Sequence, residues 1–196
     1  MWPLLGCSIV ALAVILERLV FWIRAARRRS VGTPAIDKVI NLSRGRAFDD
    51  ALALADRTVD AVARVLAAGL KERSTGLTDH MAVAADNELA AMRRGMAVLD
   101  TIVTIAPLLG ILGTVTGVIN AFDMLSGSEV QEPKMVVGGL AQALITTAAG
   151  LIVAIGTVIP FNLFRSRIVE ETKRIENAAT LMEAACRHAQ EDQRAS

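Results

Sequence analysis

The chain has 196 residues, 53% of them hydrophobic, and its 21 basic and 20 acidic side chains leave a formal charge of +1 at pH 7. That balance excludes bulk electrostatic attraction to nucleic acid. Cys7 and Cys186 stand at opposite ends of the chain, which excludes a disulfide framework and a zinc motif.

Residues 2–23 form the first apolar stretch, interrupted only by Glu17-Arg18. A membrane-crossing helix needs ~20 mostly apolar residues, so the stretch is long enough. It has no basic leader and no small-residue cleavage site, and it ends in the basic RAARRRS. It therefore reads as a retained span and not as a cleaved signal. The abrupt start at Met1-Trp2-Pro3 leaves room for a short preceding piece. Arg18 is expected to snorkel toward the headgroups, with Glu17 offsetting its charge.

Residues 24–99 read as a helical, water-exposed region. Thr33-Pro34 has the form of a helix start, because proline suits the first helical position. A break at Gly45 is followed by Phe48, Ala51, Leu52 and Ala55 on one face. Val59, Val62, Leu66 and Leu70 mark a further amphipathic helix that stops at Gly76, and Thr78 is the next candidate N-cap. No strong breaker lies between Asp79 and Pro107, so one long helix is expected to run into the second span. His80 and His188 have no partner cluster in the sequence and read as surface residues.

The second span is assigned to residues 100–125, the third to 135–164, and a short loop to 126–134. Neither 101–122 nor 135–164 contains a charged residue. The loop region carries Asp123, Glu129 and Glu132 against Lys134 alone. Arg24, Arg27, Arg28 and Arg29 follow the first span, Arg93 and Arg94 precede the second, and Arg165, Arg167, Lys173 and Arg174 follow the third. Basic residues flank spans on the cytoplasmic side. The N-terminus and the acidic loop are therefore expected outside, and residues 24–99 and 165–196 in the cytoplasm. The fold class is all-α: an integral membrane protein with three transmembrane helices, the second and third extending into a cytoplasmic helical domain. Beyond the third span, Ile168, Thr172, Ile175, Ala179, Met182 and Cys186 alternate in steps of four and three, a heptad seam.

In lipid, helices associate through close packing of small residues and through hydrogen bonds. The second span offers Ala106, Gly110, Gly113, Gly117 and Ala121 on nearly one face. The third offers Gly139, Ala143, Thr147, Gly150, Ala154 and Thr157. Both faces are expected to touch another helix closely, which points to a homo-oligomer with these spans facing one another. Pro107 and Pro160 each remove a helix hydrogen bond and are candidate kinks. A threonine can satisfy its hydroxyl on its own helix, so packing is the plainer reading of Thr101, Thr104, Thr114, Thr116, Thr146, Thr147 and Thr157. Gln142 has more donors and acceptors than its own helix can absorb and requires a partner helix, water or a lumen. There is no Ser/His/Asp, Cys/His or phosphate-loop signature. GILGTVTG follows no strand and lacks the lysine. No enzyme activity, cofactor or metal is expected.

LLGILGTVTGVINAF, residues 108–122, followed by GLAQALITTAAGLIVAIGTVIPFN, residues 139–162, resembles the MotA/TolQ/ExbB proton-channel family, and MWPLLGCSIVALAVILERL is similar to the first span of its ExbB-type members. The resemblance covers nearly the whole chain and is nearest to ExbB and TolQ, since MotA-type chains carry an additional span. It implies five copies in a ring in the bacterial inner membrane, with second and third spans around a pore. It also implies an ExbD- or TolR-like single-span partner with a membrane aspartate, and a TonB- or TolA-like client driven by the ion gradient. The family's pore threonines map to Thr114 and Thr147. Where many members have a glutamate, this chain has Gln142, which removes a titratable group.

One elementary charge crossing 100 mV gains ~2.3 kcal/mol, yet residues 101–122 and 135–164 hold no titratable side chain. The chain is thus expected to be a wall, with Thr114, Gln142, Thr146 and Thr147 lining a path for a charge on another polypeptide. Two other readings compete: a self-contained ion channel with the same residues as filter, and a structural scaffold without ion coupling.

Overall fold

A computed structural model describes residues 2–126 and 133–194 of the chain. The expected acidic loop, with Glu129 and Glu132, falls largely on residues 127–132, outside those described. The described residues form six helices and no strand: α1 (Trp2–Arg44), α2 (Phe48–Arg57), α3 (Ala61–Lys71), α4 (Arg73–Arg93), α5 (Met96–Ser126) and α6 (Pro133–Arg194). Three segments are long and apolar enough to cross a membrane: Trp2–Ser30, Thr75–Asp123 and Val137–His188. Each overlaps one of the three charge-poor stretches of the sequence and extends beyond it.

The chain divides into two compact units, Met1–Arg18 with Gly95–Arg165, and Leu19–Arg94 with Ser166–Ser196. In the first, the start of α1 packs on α5 and α6. Leu4, Ala11, Ile102, Ala106 and Ala154 are buried together, with Cys7, Leu109, Ala149 and Val153 against them. The outer surfaces of the same helices stay apolar: Leu5, Ile9, Leu12, Ile111, Leu144, Ile152 and Leu163 are all exposed. In water such a surface would be unstable; in hydrocarbon it is the preferred one.

The expected uninterrupted helix from Asp79 into the second span does not form. α4 stops at Arg93 and α5 begins at Met96. Gly95 between them takes φ +77°, the left-handed region that glycine enters at little cost. Its carbonyl then accepts the Leu99 amide at 3.2 Å and starts α5. A β-carbon on Gly95 would lie 2.9 Å from Val14 Cγ1. Pro107 and Pro160, in contrast, lie inside continuous helices.

In the second unit, α3 packs against α2 and α4, burying Ala51, Ala55, Val62, Val65, Leu66, Leu70 and Met81. From α1 come Ile36, Val39 and Ile40, and from α6 Ile168, Ile175, Met182 and Cys186. The α6 seam is wider than a strict heptad: Glu171, Ala178 and Ala185 are buried, while Thr172 and Ala179 are half-buried.

Two helix boundaries differ from the sequence reading. Thr33-Pro34 does not start a helix; α1 runs through it. Proline removes the amide that the Ser30 carbonyl would use, but burial of Ile36, Val39 and Ile40 within the next two turns favours continuation. α3 ends at Lys71, before Gly76, with the Glu72 amide on the Gly69 carbonyl at 3.3 Å. Gly76 is instead a non-helical point within α4. The break at Gly45 is present, with the Gly45 amide on the Asn41 carbonyl at 3.1 Å.

Candidate functional site

α5 and α6 run antiparallel, and their small residues interdigitate. Gly139 is opposite Ala121, Gly117 opposite Ala143, Gly113 opposite Thr146, and Gly110 opposite Thr147 and Gly150. A β-carbon on Gly150 would lie 2.6 Å from the Ala106 carbonyl oxygen, and one on Gly117 2.6 Å from Ala143 Cβ. One on Gly110 would lie 3.1 Å from Thr147 Cα. Ala143 and Ala154 are buried along the same seam. The sequence reading turned these faces toward other copies; in the chain they turn toward each other. Close backbone approach between the two complementary small-residue faces is what holds them.

The hydroxyls sort into two kinds. Thr101, Thr104, Thr114, Thr116, Thr146 and Thr157 donate within their own helix, Thr114 to the Ile111 carbonyl at 2.7 Å and Thr146 to the Gln142 carbonyl at 3.0 Å. Thr147 donates across the seam to the Gly110 carbonyl at 2.9 Å. In an α-helix that carbonyl also serves the amide four residues on, which is that of Thr114. The Thr147 hydroxyl therefore shares the Gly110 carbonyl with the Thr114 backbone amide, while the Thr114 hydroxyl goes to Ile111.

Gln142 and Thr146 occupy a different side. Thr146, with Pro3 and Leu4 of α1 and Gly113 and Thr116 of α5, lines a cavity of about 200 Å³. Gln142 lies one turn earlier on α6, on the same side, and is exposed. The four candidate path residues thus form two pairs, Thr114 with Thr147 and Gln142 with Thr146, about 100–140° apart around α6. The five-residue spacing of Gln142 and Thr147 carries that angular separation, and the position of α1 makes it meaningful.

Near the far end of the first apolar stretch, Arg18 Nε and Nη2 donate to the two carboxylate oxygens of Glu17 at 2.6 and 2.5 Å. Arg18 does not snorkel: its residue is 2% exposed, while the Glu17 side chain is 58% exposed. A buried guanidinium needs a partner, and the adjacent carboxylate supplies one.

The second unit contains an ionic cluster that the sequence reading passed over. Asp60 caps α3, accepting the Val62 amide on Oδ1 at 2.8 Å and Arg174 on Oδ2 at 3.0 Å. Arg174 also reaches Glu171 at 3.2 Å, and Glu171 accepts from Arg29 of α1 at 3.1 Å. Arg29 donates to Glu170 at 2.9 Å as well. This Arg29–Glu170 bond holds the guanidinium above its ordinary value and the Glu170 carboxyl below its own. Gly32 makes room for the cluster, since a β-carbon there would lie 2.7 Å from Asp60 Cβ. The signal available in the sequence was Asp60 itself, an acidic residue just before an apolar helical pattern. Among the described residues no group of three or more His, Cys, Asp or Glu is placed to hold a metal.

Residues 57–177 match the model of the MotA/TolQ/ExbB proton channel family. Over 176 residues the chain is 39% identical to the putative biopolymer transport protein ExbB-like 1 of Synechocystis sp., covering 85% of this chain and 66% of that protein. Over 187 residues it is 34% identical to ExbB-like 3 of the same organism, covering 89% and 87%. Over 88 residues it is 36% identical to the Tol-Pal system protein TolQ of Haemophilus influenzae, covering 45% and 39%.

Proposed function

The chain belongs to the MotA/TolQ/ExbB proton channel family and is a multi-pass membrane protein; from that premise we propose that it is the ring-forming channel subunit of an ion-driven, most simply proton-driven, inner-membrane motor. Five copies surround one or more single-span partners of ExbD or TolR type. The partner's membrane aspartate carries the proton, and a TonB- or TolA-like client receives the work. The N-terminus and the loop between α5 and α6 face the periplasm, and the basic segments face the cytoplasm.

The observation that carries this reading is the half-buried Thr147 hydroxyl, bonded across the helix pair to the Gly110 carbonyl, in two spans without a titratable side chain between residues 101–122 and 135–164. A carboxylate at mid-membrane costs ~2.5–3.5 kcal/mol. A hydroxyl is both donor and acceptor. While Thr147 donates to Gly110, its oxygen can accept from a protonated carboxyl. By rotating, it can donate to the ionised form. Such a wall serves both states of a partner's carboxyl without trapping either. Gln142, about 140° around α6 from Thr147, is neutral in both states and exchanges no proton.

Thiol labelling tests this. In the assembled complex in membranes, with Cys7 and Cys186 replaced by serine, Thr114→Cys should react with a small charged thiol reagent. Ile152→Cys, on an exposed apolar face, should not. Equal protection at both positions overturns the reading.

A further inference from the structure

The α1 segment that begins the second unit carries a stripe whose character changes within one turn. Val20 and Ile23 are each 48% exposed, and Arg24, Arg27 and Arg28 follow, all exposed. At 100° per residue, Arg27 lies roughly 20° from Val20 and roughly 40° from Ile23 around the axis, with Arg24 and Arg28 roughly 60° and 100° further round on the Val20 side. The apolar side chains and the arginines therefore share one face. Arg29 points elsewhere, to Glu170 and Glu171 of α6. Those carboxylates are occupied by Arg29, Arg167 and Arg174. Among the described residues no carboxylate pairs with Arg24, Arg27 or Arg28.

We propose that this stripe is a binding surface for anionic phospholipid headgroups. Three features select that occupant. The arginines close the exposed apolar face of a segment, Trp2–Ser30, that is long and apolar enough to cross a membrane, and they follow its last apolar residue, Ile23, within about 7.5 Å along the axis. Guanidinium presents paired donors that match phosphate oxygens. Three cations on one face, left unneutralised by the chain's own acids, complement the negative surface of an anionic leaflet. An acidic polypeptide would satisfy the charges but not the apolar residues directly above them.

The test uses the full chain purified in detergent and offered an equimolar mixture of phosphatidylglycerol and phosphatidylcholine, with retained lipid read by native mass spectrometry. Wild type should enrich phosphatidylglycerol. The enrichment should fall by up to roughly fivefold for each arginine neutralised, and it should weaken with salt. Arg27→Gln alone should show the effect should the triple variant Arg24→Gln/Arg27→Gln/Arg28→Gln fail to insert. The triple lysine variant should keep most of the preference, and Arg44→Gln/Arg57→Gln, at exposed arginines elsewhere, should keep all of it. No preference in wild type overturns the proposal, as does an unchanged preference in Arg27→Gln and the triple variant. Loss of a co-purifying acidic protein with lipid preference intact also overturns it.

Discussion

The Thr147 hydroxyl donates to the Gly110 carbonyl across 2.9 Å and joins α6 to α5 at the centre of their small-residue seam. Because the bond crosses between helices, its loss is felt by the pair. Thr147→Val keeps the shape and removes the donor. Reversible unfolding in detergent should show a loss of about 0.6 kcal/mol, and at most about 1.7. Thr147→Ser should restore most of it.

The glycines of α6 are not equivalent, and substitution separates them. An alanine at 150 would press a methyl against the Ala106 carbonyl and the Gly110 backbone, neither of which can yield as a side-chain tip can. Gly150→Ala should destabilise the α5–α6 pair by about 1–3 kcal/mol. Gly156 has nothing within 4 Å of its β-carbon position. Gly156→Ala should be neutral or slightly stabilising by helix propensity. The same unfolding measurement decides both.

Asp60 does two jobs with two oxygens, capping α3 and pairing Arg174. Asp60→Ala should lose the cap, about 0.5–2 kcal/mol, and leave the half-buried Arg174 with Glu171 alone. Asp60→Asn retains an acceptor for the Val62 amide and loses only the charge. Thermal unfolding should rank wild type above Asn and Asn above Ala. Equal melting for all three would show that the cluster is not part of the fold's stability.

The Arg29–Glu170 pair sets a pH dependence of known sign. Glu170 titrates below its ordinary 4.5 because Arg29 stabilises its ionised form. A depressed carboxyl contributes stability above its unfolded pKa and loses it as the pH falls through the lowered folded value. Glu170→Gln should therefore be less stable than wild type at neutral pH, and the difference should shrink as the pH drops below about 4.5. A difference that grows on acidification would contradict the assignment. Salt should weaken the effect, since Glu170 is exposed.

The three spans were legible because residues 101–122 and 135–164 carry no charge and residues 2–23 almost none. The small-residue faces were legible by spacing: Gly110, Gly113 and Gly117 repeat with the helix period, as do Ala143, Gly150 and Ala154. Spacing does not say what a face touches, so it could not distinguish a neighbouring copy from the other half of the same hairpin. Nor does it report φ: Gly95 looks like any glycine in a helical pattern until its left-handed backbone ends α4. Pro34 carries the opposite lesson, a helix-start signal overridden by the burial of Ile36 and Val39. Arg18 is buried while Glu17 beside it is exposed, a difference set by packing that the sequence does not report. The separation of Gln142 from Thr147 was present in their five-residue spacing, but it gained meaning only once α1 had a side of the hairpin to occupy.

The central claim is that this chain is the wall of a proton path and that the moving charge belongs to another polypeptide. Proton flux into liposomes holding the purified chain alone, under an imposed pH gradient and a potassium diffusion potential, tests it most directly. The account predicts no flux above that of empty liposomes, and flux only when a single-span partner with a membrane aspartate is reconstituted with it. Flux from the chain alone, abolished by Gln142→Leu, would contradict it.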